Sequence, residues 1–391
     1  MIRFFSVVGF LACICAGLLT SPSSAGAGEI CELSVKELVG AARVNEPVRM
    51  GIPLPKGVVK DVSELSLVDA GGRPIPCQFR AITHWLEDKS LRWVHAVFQT
   101  SVPAKGEVKV KLVKGKAAST AGKMKVTAAG NAVTVENGVL KLVVKGPGFN
   151  LFDSAWYDPA GKFGAEGQIV KPHGEGIVLT LAGKAYKPSQ DSKVSVEEQG
   201  GEGAVIKVEG RLASGGDAPF TYVCYLHVFQ GSPQVRATFA YTNASGTKPA
   251  DHVKMEDLSV ILPTTLAGSG RVGGEGKVFA GKAAKIAAVS SDRSVISLDG
   301  KEAGAAKGKS TKPKTIGWAA LGSGKKSLAV GLRWFWQMFP RAVEADAEGR
   351  LRAGLFANEA GKPLDVYMGQ GRTHYLTFLF GGGADAQLMD F

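Results

Sequence analysis

Three side chains that could take part in a β-elimination lie close together near the end of this 391-residue chain, in GQGRTHYLTF (369–378). In that reaction a base removes the proton α to a uronate carboxylate, and a cation neutralises the carboxylate. Arg372, His374 and Tyr375 have suitable side chains. On a strand, however, Arg372 and His374 would share one face and Tyr375 would lie on the other. The segment therefore favours a structural strand, and the three residues are candidates without an assigned catalytic role.

The segment LRWFWQMFPRA (332–342) holds the arrangement of aromatic side chains best suited to binding a sugar. Sugar sites combine aromatic surfaces with a few polar groups. On a strand, Trp334 and Trp336 would share one face, with Phe335 on the other. The two tryptophans could form a platform for a sugar ring or a layer of the core, and we favour the core.

The sequence offers little for a metal or a cofactor. His84 and His95 could face each other on a hairpin, but a third ligand is not evident. GAAKGKS (304–310) is one residue short of a P-loop and is not framed by a strand and a helix. No G-x-S-x-G element and no Cys–His motif indicates nucleophilic catalysis. We therefore expect no metal and no cofactor.

The first 27 residues have the pattern of an export signal. Arg3 precedes a mostly apolar run, Phe4 to Leu19, and an A-x-A cleavage site follows at Ala25-Gly26-Ala27. We expect the mature chain to begin at Gly28, to be periplasmic or extracellular, and to contain no membrane span.

The chain is basic, with a formal net charge of +12. Export argues against nucleic acid as the partner. A basic exported protein could instead meet an acidic polysaccharide or a membrane surface. A solvated, lysine-rich surface without a partner would explain the same charge.

Three cysteines follow the leader: Cys31, Cys77 and Cys224. An oxidising compartment allows one disulfide and leaves one thiol. Cys31 and Cys77 both lie early in the chain, which makes them the favoured pair. Three unpaired, buried thiols fit the sequence about equally well.

Alternation of apolar and polar residues predicts antiparallel strands along the whole chain. WLEDKSLRWVHAVFQ (85–99) predicts a hairpin with a packed tryptophan. In NAVTVENGVLKLVVKG (131–146), two alternating runs flank Asn137-Gly138, a pair suited to a type I′ turn. Further turns are expected at Gly71-Gly72, Asp158-Pro159-Ala160-Gly161 and Glu348-Gly349. Turn signals at this density are typical of antiparallel sandwiches and barrels.

A small, polar and basic segment, KGKAASTAGK (114–123), predicts a linker. We expect a first domain at 29–115 and a second at 124–391. The second contains GKEAGAAKGKSTKPK (300–314), which has five lysines and few large apolar residues. The sequence predicts a mobile surface loop there.

The first domain resembles the amino-terminal domain of exo-rhamnogalacturonan lyases and YetA-like proteins. The similar residues, within 46–112, are GIPLPKG (51–57), Trp85 and SLRWV (90–94). The second domain resembles the central β-sandwich of that family, in the segments 136–162, 220–243, 333–356 and 369–380. The resemblance implies an all-β fold, a small RIFT-type β-barrel followed by a large antiparallel β-sandwich.

In the lyases of this family an α/α toroid follows the sandwich, and the catalytic cleft is associated with it. A toroid pattern is not found before Phe391, so we do not carry the activity over. The resemblance then implies an exported, non-catalytic module that binds or presents polysaccharide, with acidic polysaccharide as the candidate ligand. The alternative is a lyase component that acts by β-elimination with a separate toroid-domain protein. A scaffold without sugar contact is a third hypothesis.

Overall fold

The computed structural model describes residues 28–38, 40–118, 124–266, 268–274, 277–307, 317–323 and 326–381. These residues form 30 β-strands and three short 3-10 helices, and none of them is in an α-helix. The predicted all-β class is therefore confirmed. Among the same residues, no helix has the length and apolar character needed to cross a membrane. The predicted leader, 1–27, lies outside the described residues, as does the second half of the predicted linker, 119–123.

Seven strands form the amino-terminal part: β1 (Glu29–Lys36), β2 (Arg43–Pro53), β3 (Leu65–Asp69), β4 (Pro74–Ile75), β5 (Cys77–His84), β6 (Leu91–Val102) and β7 (Glu107–Lys114). They make a four-stranded sheet in the order β1-β7-β3-β4 and a three-stranded sheet in the order β2-β6-β5. Alternate residues of β6, Val94, Ala96 and Phe98, enter a core that only this part of the chain builds. On the opposite face of β6, the Gln99 side chain donates to the Gln230 carbonyl of the second part.

The segment 85–99 forms the predicted hairpin between β5 and β6. Its turn closes where the Trp85 amide donates to the Ser90 carbonyl over 2.8 Å. The indole nitrogen of Trp85 donates to the Leu54 carbonyl at 3.1 Å, and the Arg92 guanidinium lies 4.9 Å from the ring centre. These contacts hold the Trp85 ring in place, so this tryptophan stabilises the hairpin.

The second part begins with a five-stranded sheet in the order β12-β11-β10-β9-β8. Its strands are β8 (Lys125–Ala129), β9 (Ala132–Glu136), β10 (Leu140–Lys145), β11 (Ser154–Tyr157) and β12 (Gln168–Val170). Its inward residues, such as Val135, Leu142 and Ala155, belong to the core of the large sheets that follow.

The next 18 strands form two layers. They are β13 (Ile177–Leu181), β14 (Lys184–Pro188), β15 (Lys193–Gln199), β16 (Gly203–Ser214), β17 (Asp217–Phe229), β18 (Gln234–Asn243), β19 (His252–Pro263), β20 (Gly270–Gly274), β21 (Lys277–Gly281), β22 (Ala284–Ala288), β23 (Arg293–Leu298), β24 (Lys301–Lys307), β25 (Gly317–Ser323), β26 (Lys326–Leu332), β27 (Arg341–Ala345), β28 (Arg350–Phe356), β29 (Leu364–Tyr367) and β30 (Gly371–Phe380).

One layer runs β15-β16-β17-β18-β30-β26-β25-β20-β21 by antiparallel pairing. The other runs β13-β19-β28-β27-β22-β23-β24, and β29 pairs with the first residues of β19. Strand β14 pairs with β13 and with β16, and so joins the layers. Phe239 and Phe378 of the first layer share one core with Leu258 and Val343 of the second. The predicted antiparallel sandwich is confirmed.

The predicted turns at 71–72, 158–161 and 348–349 are all present. The Asn137-Gly138 turn is also present, but a type I′ turn is wrong, because only Gly138 has a positive φ, at 98°. Asn137 is fully buried, and its Oδ1 accepts from the Leu140 amide. Its Nδ2 donates to the carbonyls of Phe229 and Ser232 at 2.7 and 2.8 Å. Asn137 therefore connects the end of β9 to the segment that joins β17 and β18.

The prediction of a surface loop at 300–314 is wrong for its first half. Lys301–Lys307 is strand β24, which pairs with β23 in a tight hairpin. Asp299 and Gly300 form the turn with φ values of 52° and 78°, the left-handed pair that a type I′ turn needs. Residues 308–316 lie outside the described residues.

The favoured disulfide between Cys31 and Cys77 is also wrong, because Cys31, Cys77 and Cys224 are all free thiols. Cys77 and Cys224 are buried, and Cys31 is half-buried. Burial raises the pKa of the Cys77 thiol to about 11. The alternative prediction, three unpaired thiols, is confirmed, although Cys31 is only half-buried.

Candidate functional site

Trp334 lies on an exposed turn that follows β26, and not on a strand as predicted. Its φ is +56°, and the amide of Met338 donates back to its carbonyl at 3.0 Å. The indole is 43% exposed. It meets the Tyr375 ring edge-to-face at 5.4 Å, and the Arg333 guanidinium lies 4.7 Å from its centre. The ring is therefore exposed and yet held by two neighbours.

The two-fold alternation predicted for Trp334 and Trp336 fails because the chain coils into this turn. Phe335 points into the sandwich core and is 2% exposed, whereas Trp336 is partly buried. A core layer of both tryptophans, the interpretation that we favoured, is wrong for Trp334. Of the two sugar-binding candidates, Trp334 is the one that the turn presents to solvent.

His374 is on β30, as predicted, but it points into the core and is fully buried. Its Nδ1 lies 2.8 Å from Nη2 of Arg341, and its ring stacks on Tyr241 at 5.8 Å. Burial, followed by the charges of Arg341 and Arg372, holds the pKa of His374 well below its ordinary value. It is a neutral core side chain, out of reach of a polymer.

The structure does not bring the three elimination candidates into one site. Tyr375 faces outwards beside Trp334, opposite to His374, as the strand pattern predicts. Arg372 lines a separate pocket with Tyr241 and Asp365. The expectation of a structural strand is confirmed. His374 lies in the core, Tyr375 lies beside Trp334, and Arg372 lines a different pocket.

Arg333 and Tyr375 also line a cleft of about 230 Å³ where the amino-terminal part meets the outward face of the sandwich. We call it the arginine cleft, because its walls include Arg49, Arg236 and Arg333. Arg49 comes from β2, Arg236 from β18 and Arg333 from the turn that carries Trp334. His227 of β17 completes the polar lining.

The three guanidinium groups differ in their partners. Nη2 of Arg49 donates to Glu198 at 2.7 Å, and Nη2 of Arg236 donates to Glu46 at the same distance. For Arg333, no ion pair is found within the described part of the chain, and its guanidinium packs on Trp334. The cleft thus combines two neutralised arginines with one that is able to take an outside anion.

His227 is neutral in this cleft. Its Nδ1 lies 3.4 Å from Nη1 of Arg49, a group that can only donate. Burial and the charges of Arg49 and Arg236 lower the pKa of His227 to about 4. An imidazole with so low a pKa is a poor base, and its acceptor nitrogen already faces Arg49.

A second cleft, of about 560 Å³, lies beside the first between the same two parts of the chain. We call it the amide cleft, because Asn45, Gln99, Gln230 and Gln234 line it together with several glycines and prolines. The Gln99 side chain donates to the Gln230 carbonyl at 2.6 Å across the boundary. Amides donate and accept equally well, so this surface suits hydroxyl groups.

The two clefts are successive stretches of one groove. Gln234 pairs with Leu379 beside the amide cleft, and Arg236 pairs with Thr377 beside the arginine cleft. Residues two apart on a strand face the same side and lie about 7 Å from each other. The Glu46–Arg236 ion pair stands between the clefts.

Among the described residues, no group of three His, Cys, Asp or Glu side chains could hold a metal ion. His84 pairs across the hairpin with Leu91, whereas His95 pairs with Gly51 and lies near Arg49. The two histidines therefore do not form a common site.

Sequence reasoning did not identify Arg49, His227 or Arg236. They lie on β2, β17 and β18, and no local motif joins them. The available signal was in β17 and β18, where His227 and Arg236 are the basic side chains of strands made mostly of apolar residues, Thr and Tyr. Register places them opposite each other.

The comparisons with known proteins add a family for the amino-terminal part and a fold for the whole. Residues 32–113 match the PcRGLX-like N-terminal RIFT barrel domain. No curated protein matches the sequence.

Among solved structures, an alpha-mannosidase from Enterococcus faecalis V583 aligns with a TM-score of 0.53 and 10% identity. The alignment covers 92% of this chain and 45% of the alpha-mannosidase, so this chain spans a little under half of that protein. A glycosyl hydrolase family 38 protein from Enterococcus faecalis gives a TM-score of 0.47 at 10% identity, over 93% of this chain and 46% of its own. The first similarity concerns the fold alone. The match over residues 32–113 confirms the predicted resemblance, and this part of the protein is similar to the amino-terminal RIFT barrel of rhamnogalacturonan lyase-like proteins.

Proposed function

We propose that the protein is an exported, non-catalytic module that binds polysaccharide in the groove between its amino-terminal barrel and its sandwich. The observation that carries this proposal is the exposed indole of Trp334, held by Tyr375 and Arg333 at the edge of the arginine cleft. The similarity of the amino-terminal domain to rhamnogalacturonan lyase-like proteins supports a role with carbohydrates.

A fixed aromatic ring is a suitable surface for a sugar. Binding costs little conformational entropy when the side chain is already held. Trp334 meets this condition through the edge-to-face contact with Tyr375 and the stacked Arg333. A sugar ring packed on the indole would lie next to the arginine cleft.

Acidic units are the preferred ligand in this proposal. Arg333 is exposed and has no carboxylate partner among the described residues, and planar guanidinium groups bind carboxylates with two parallel hydrogen bonds. Arg49 and Arg236 are already paired with Glu198 and Glu46. They would therefore form the walls of the site but add little attraction for an acidic ligand. The neighbouring amide cleft would receive hydroxyl groups of the same chain.

Within the described residues, neither of the two histidines nearest the Trp334 turn is a suitable base for catalysis by this chain alone. His374 is sealed in the core, and His227 has a pKa of about 4 and faces Arg49. A lyase component that depends on a separate toroid-domain protein is the alternative, and the following experiment separates the two.

The test is a binding titration of purified protein with rhamnogalacturonan and with a neutral mannan, at low and moderate salt. Absorbance of unsaturated uronate is followed in the same samples. We expect saturable binding of the acidic polymer, weaker at moderate salt because the charges are screened, without absorbance. Rising absorbance would overturn the non-catalytic proposal, and absence of binding to either polymer would overturn the proposal as a whole.

Two variants locate the site. Trp334→Ala should weaken binding about tenfold, in line with the loss of a central aromatic anchor. Trp93→Ala is the matched control, since Trp93 is 40% exposed and lines neither cleft. Arg333→Gln should weaken binding of the acidic polymer more than that of a neutral one. Arg73→Gln should not, because Arg73 is an exposed arginine that pairs with Asp69 and lines neither cleft.

A further inference from the structure

Arg341 is a buried cation whose hydrogen-bond partners are all neutral. It begins β27 and is fully buried. Nη1 donates to the Arg333 carbonyl at 2.6 Å, and Nη2 lies 2.8 Å from His374 Nδ1 and 3.3 Å from Met338 Sδ. No ion pair of Arg341 is found in the described residues. A buried charge without a counter-ion costs folding free energy. The contacts that Arg341 makes must therefore contribute something to the protein that offsets this cost.

Two of these partners lie on the turn that carries Trp334. The Arg333 carbonyl immediately precedes the tryptophan, and Met338 closes the turn with its amide on the Trp334 carbonyl. Arg341 reaches both from the second layer of the sandwich. It therefore ties the exposed turn to the core beneath it.

The third partner, His374, belongs to the strand that holds Trp334 from the other side. Tyr375, the next residue, contacts the indole on the outward face, and its carbonyl accepts from the Arg333 amide at 3.1 Å. His374 on the inward face accepts from Arg341. Strand β30 thus supports the Trp334 turn through one outward and one inward residue.

His374 can do this only as an acceptor. Arginine has donors and no acceptor, so Nδ1 of His374 must carry no proton. The groups that face the imidazole are Arg341, Arg372 and Tyr241, two cations and a phenol. These surroundings favour the neutral ring.

We propose that Arg341 and His374 are positioning residues that hold the Trp334 turn, and with it the indole, in the orientation required for binding. The proposal rests on the proposed function only for what the indole binds. The position of the indole is a separate and directly measurable property.

The test uses the full chain and the fluorescence of Trp334, taken as the difference between each protein and the same protein with Trp334→Phe. His374→Leu removes the acceptor, and His374→Gln restores one that does not titrate. We expect His374→Leu to increase iodide quenching of Trp334 at least twofold and to weaken rhamnogalacturonan binding about tenfold. His374→Gln should recover more than half of both losses.

Leu262→Ala is the matched control, because it removes a buried side chain of the same core from β19, where Leu262 pairs with Leu351 of β28. It should lower the melting temperature and leave the quenching of Trp334 unchanged. If His374→Leu fails to fold, Met338→Leu, which removes only the sulfur contact, should still raise quenching. Unchanged quenching in every folded variant would overturn the proposal. Altered quenching in a protein that binds no polysaccharide would retain it and reject the binding function instead.

Discussion

The side chains of Arg49 and Glu198 form an ion pair of 2.7 Å that joins the amino-terminal barrel to the sandwich. Glu198 is buried, and its other carboxylate oxygen accepts from Gln78 at 3.0 Å. The side-chain Oε1 of Gln78 in turn accepts from the backbone amide of Gly203. These bonds set the floor of the arginine cleft, because Arg49 lines that cleft and strand β16 begins at Gly203.

Replacing Glu198 with Ala should destabilise the protein by about 2–4 kcal/mol, since it leaves the partly buried Arg49 and Gln78 without their acceptor. Urea unfolding followed by far-ultraviolet circular dichroism measures the change. The matched control is Glu197→Ala, whose carboxylate is exposed and lies 3.9 Å from Arg80. That variant should lose less than about 0.5 kcal/mol. Equal losses in both variants would contradict the role of the buried pair.

Much of the fold could be predicted from the sequence because its signals are local. Alternation locates strands, and turn residues such as Gly71-Gly72 set the hairpins. The exceptions have one local and one long-range cause. Lys301–Lys307 was predicted as a loop from its lysines, although Asp299-Gly300 just before it is the stronger signal for a hairpin. Asn137 was assigned a type I′ turn because its bonds to distant carbonyls cannot be read locally.

Asn137 should be one of the most sensitive polar positions in the second domain. Asn137→Ala removes the donors to Phe229 and Ser232 and the acceptor of the turn, all in the buried interior. We expect a loss of about 3 kcal/mol, because the remaining buried groups keep no partner. Chemical unfolding measures it, with the exposed Asn358→Ala as the control. A loss below that of the control would show that water replaces the side chain.

Stability should fall as the pH is lowered from neutral, and His227 should account for part of the fall. The pKa of His227 is about 4 in the folded protein, against about 6.5 for an ordinary histidine. The fold thus favours the neutral form, so its contribution is complete above pH 6.5 and is lost as the pH falls towards 4. The loss from this residue reaches about 3 kcal/mol at most.

His227→Gln should flatten this dependence between pH 6.5 and 4, as measured by urea unfolding at several pH values. Glutamine keeps an acceptor for Arg49 but does not titrate. His84→Gln, on the exposed end of β5, is the control and should leave the slope as it is in the unmodified protein. A slope that His227→Gln does not change would assign the dependence to other groups, of which His95 and His374 have lowered pKa values as well.

The site was less predictable than the fold because its residues meet only in three dimensions. Trp334 was identified as a candidate from its residue type, but it was wrongly predicted to lie on a strand. No local sequence pattern predicts a positive φ at a tryptophan. Arg49 and Arg236 meet across 187 residues of sequence only after β2 and β18 have packed against each other. His374 had the right type for a base, and only the burial beside Arg341 reveals it as an acceptor in the core.

Gly317→Ala should displace the Trp334 turn by pushing on Phe335 from inside the core. Gly317 begins β25, and a Cβ atom there would overlap the ring of Phe335, the buried residue that follows Trp334. Because the core has no room, the turn must move, and we expect a loss of about 1–3 kcal/mol in stability. The same movement should weaken rhamnogalacturonan binding several-fold and change the emission of Trp334. Gly304→Ala is the control, since a Cβ atom on β24 would meet nothing within 4 Å. If Gly317→Ala loses stability but binds as the unmodified protein does, the position of Phe335 does not control the tryptophan beside it.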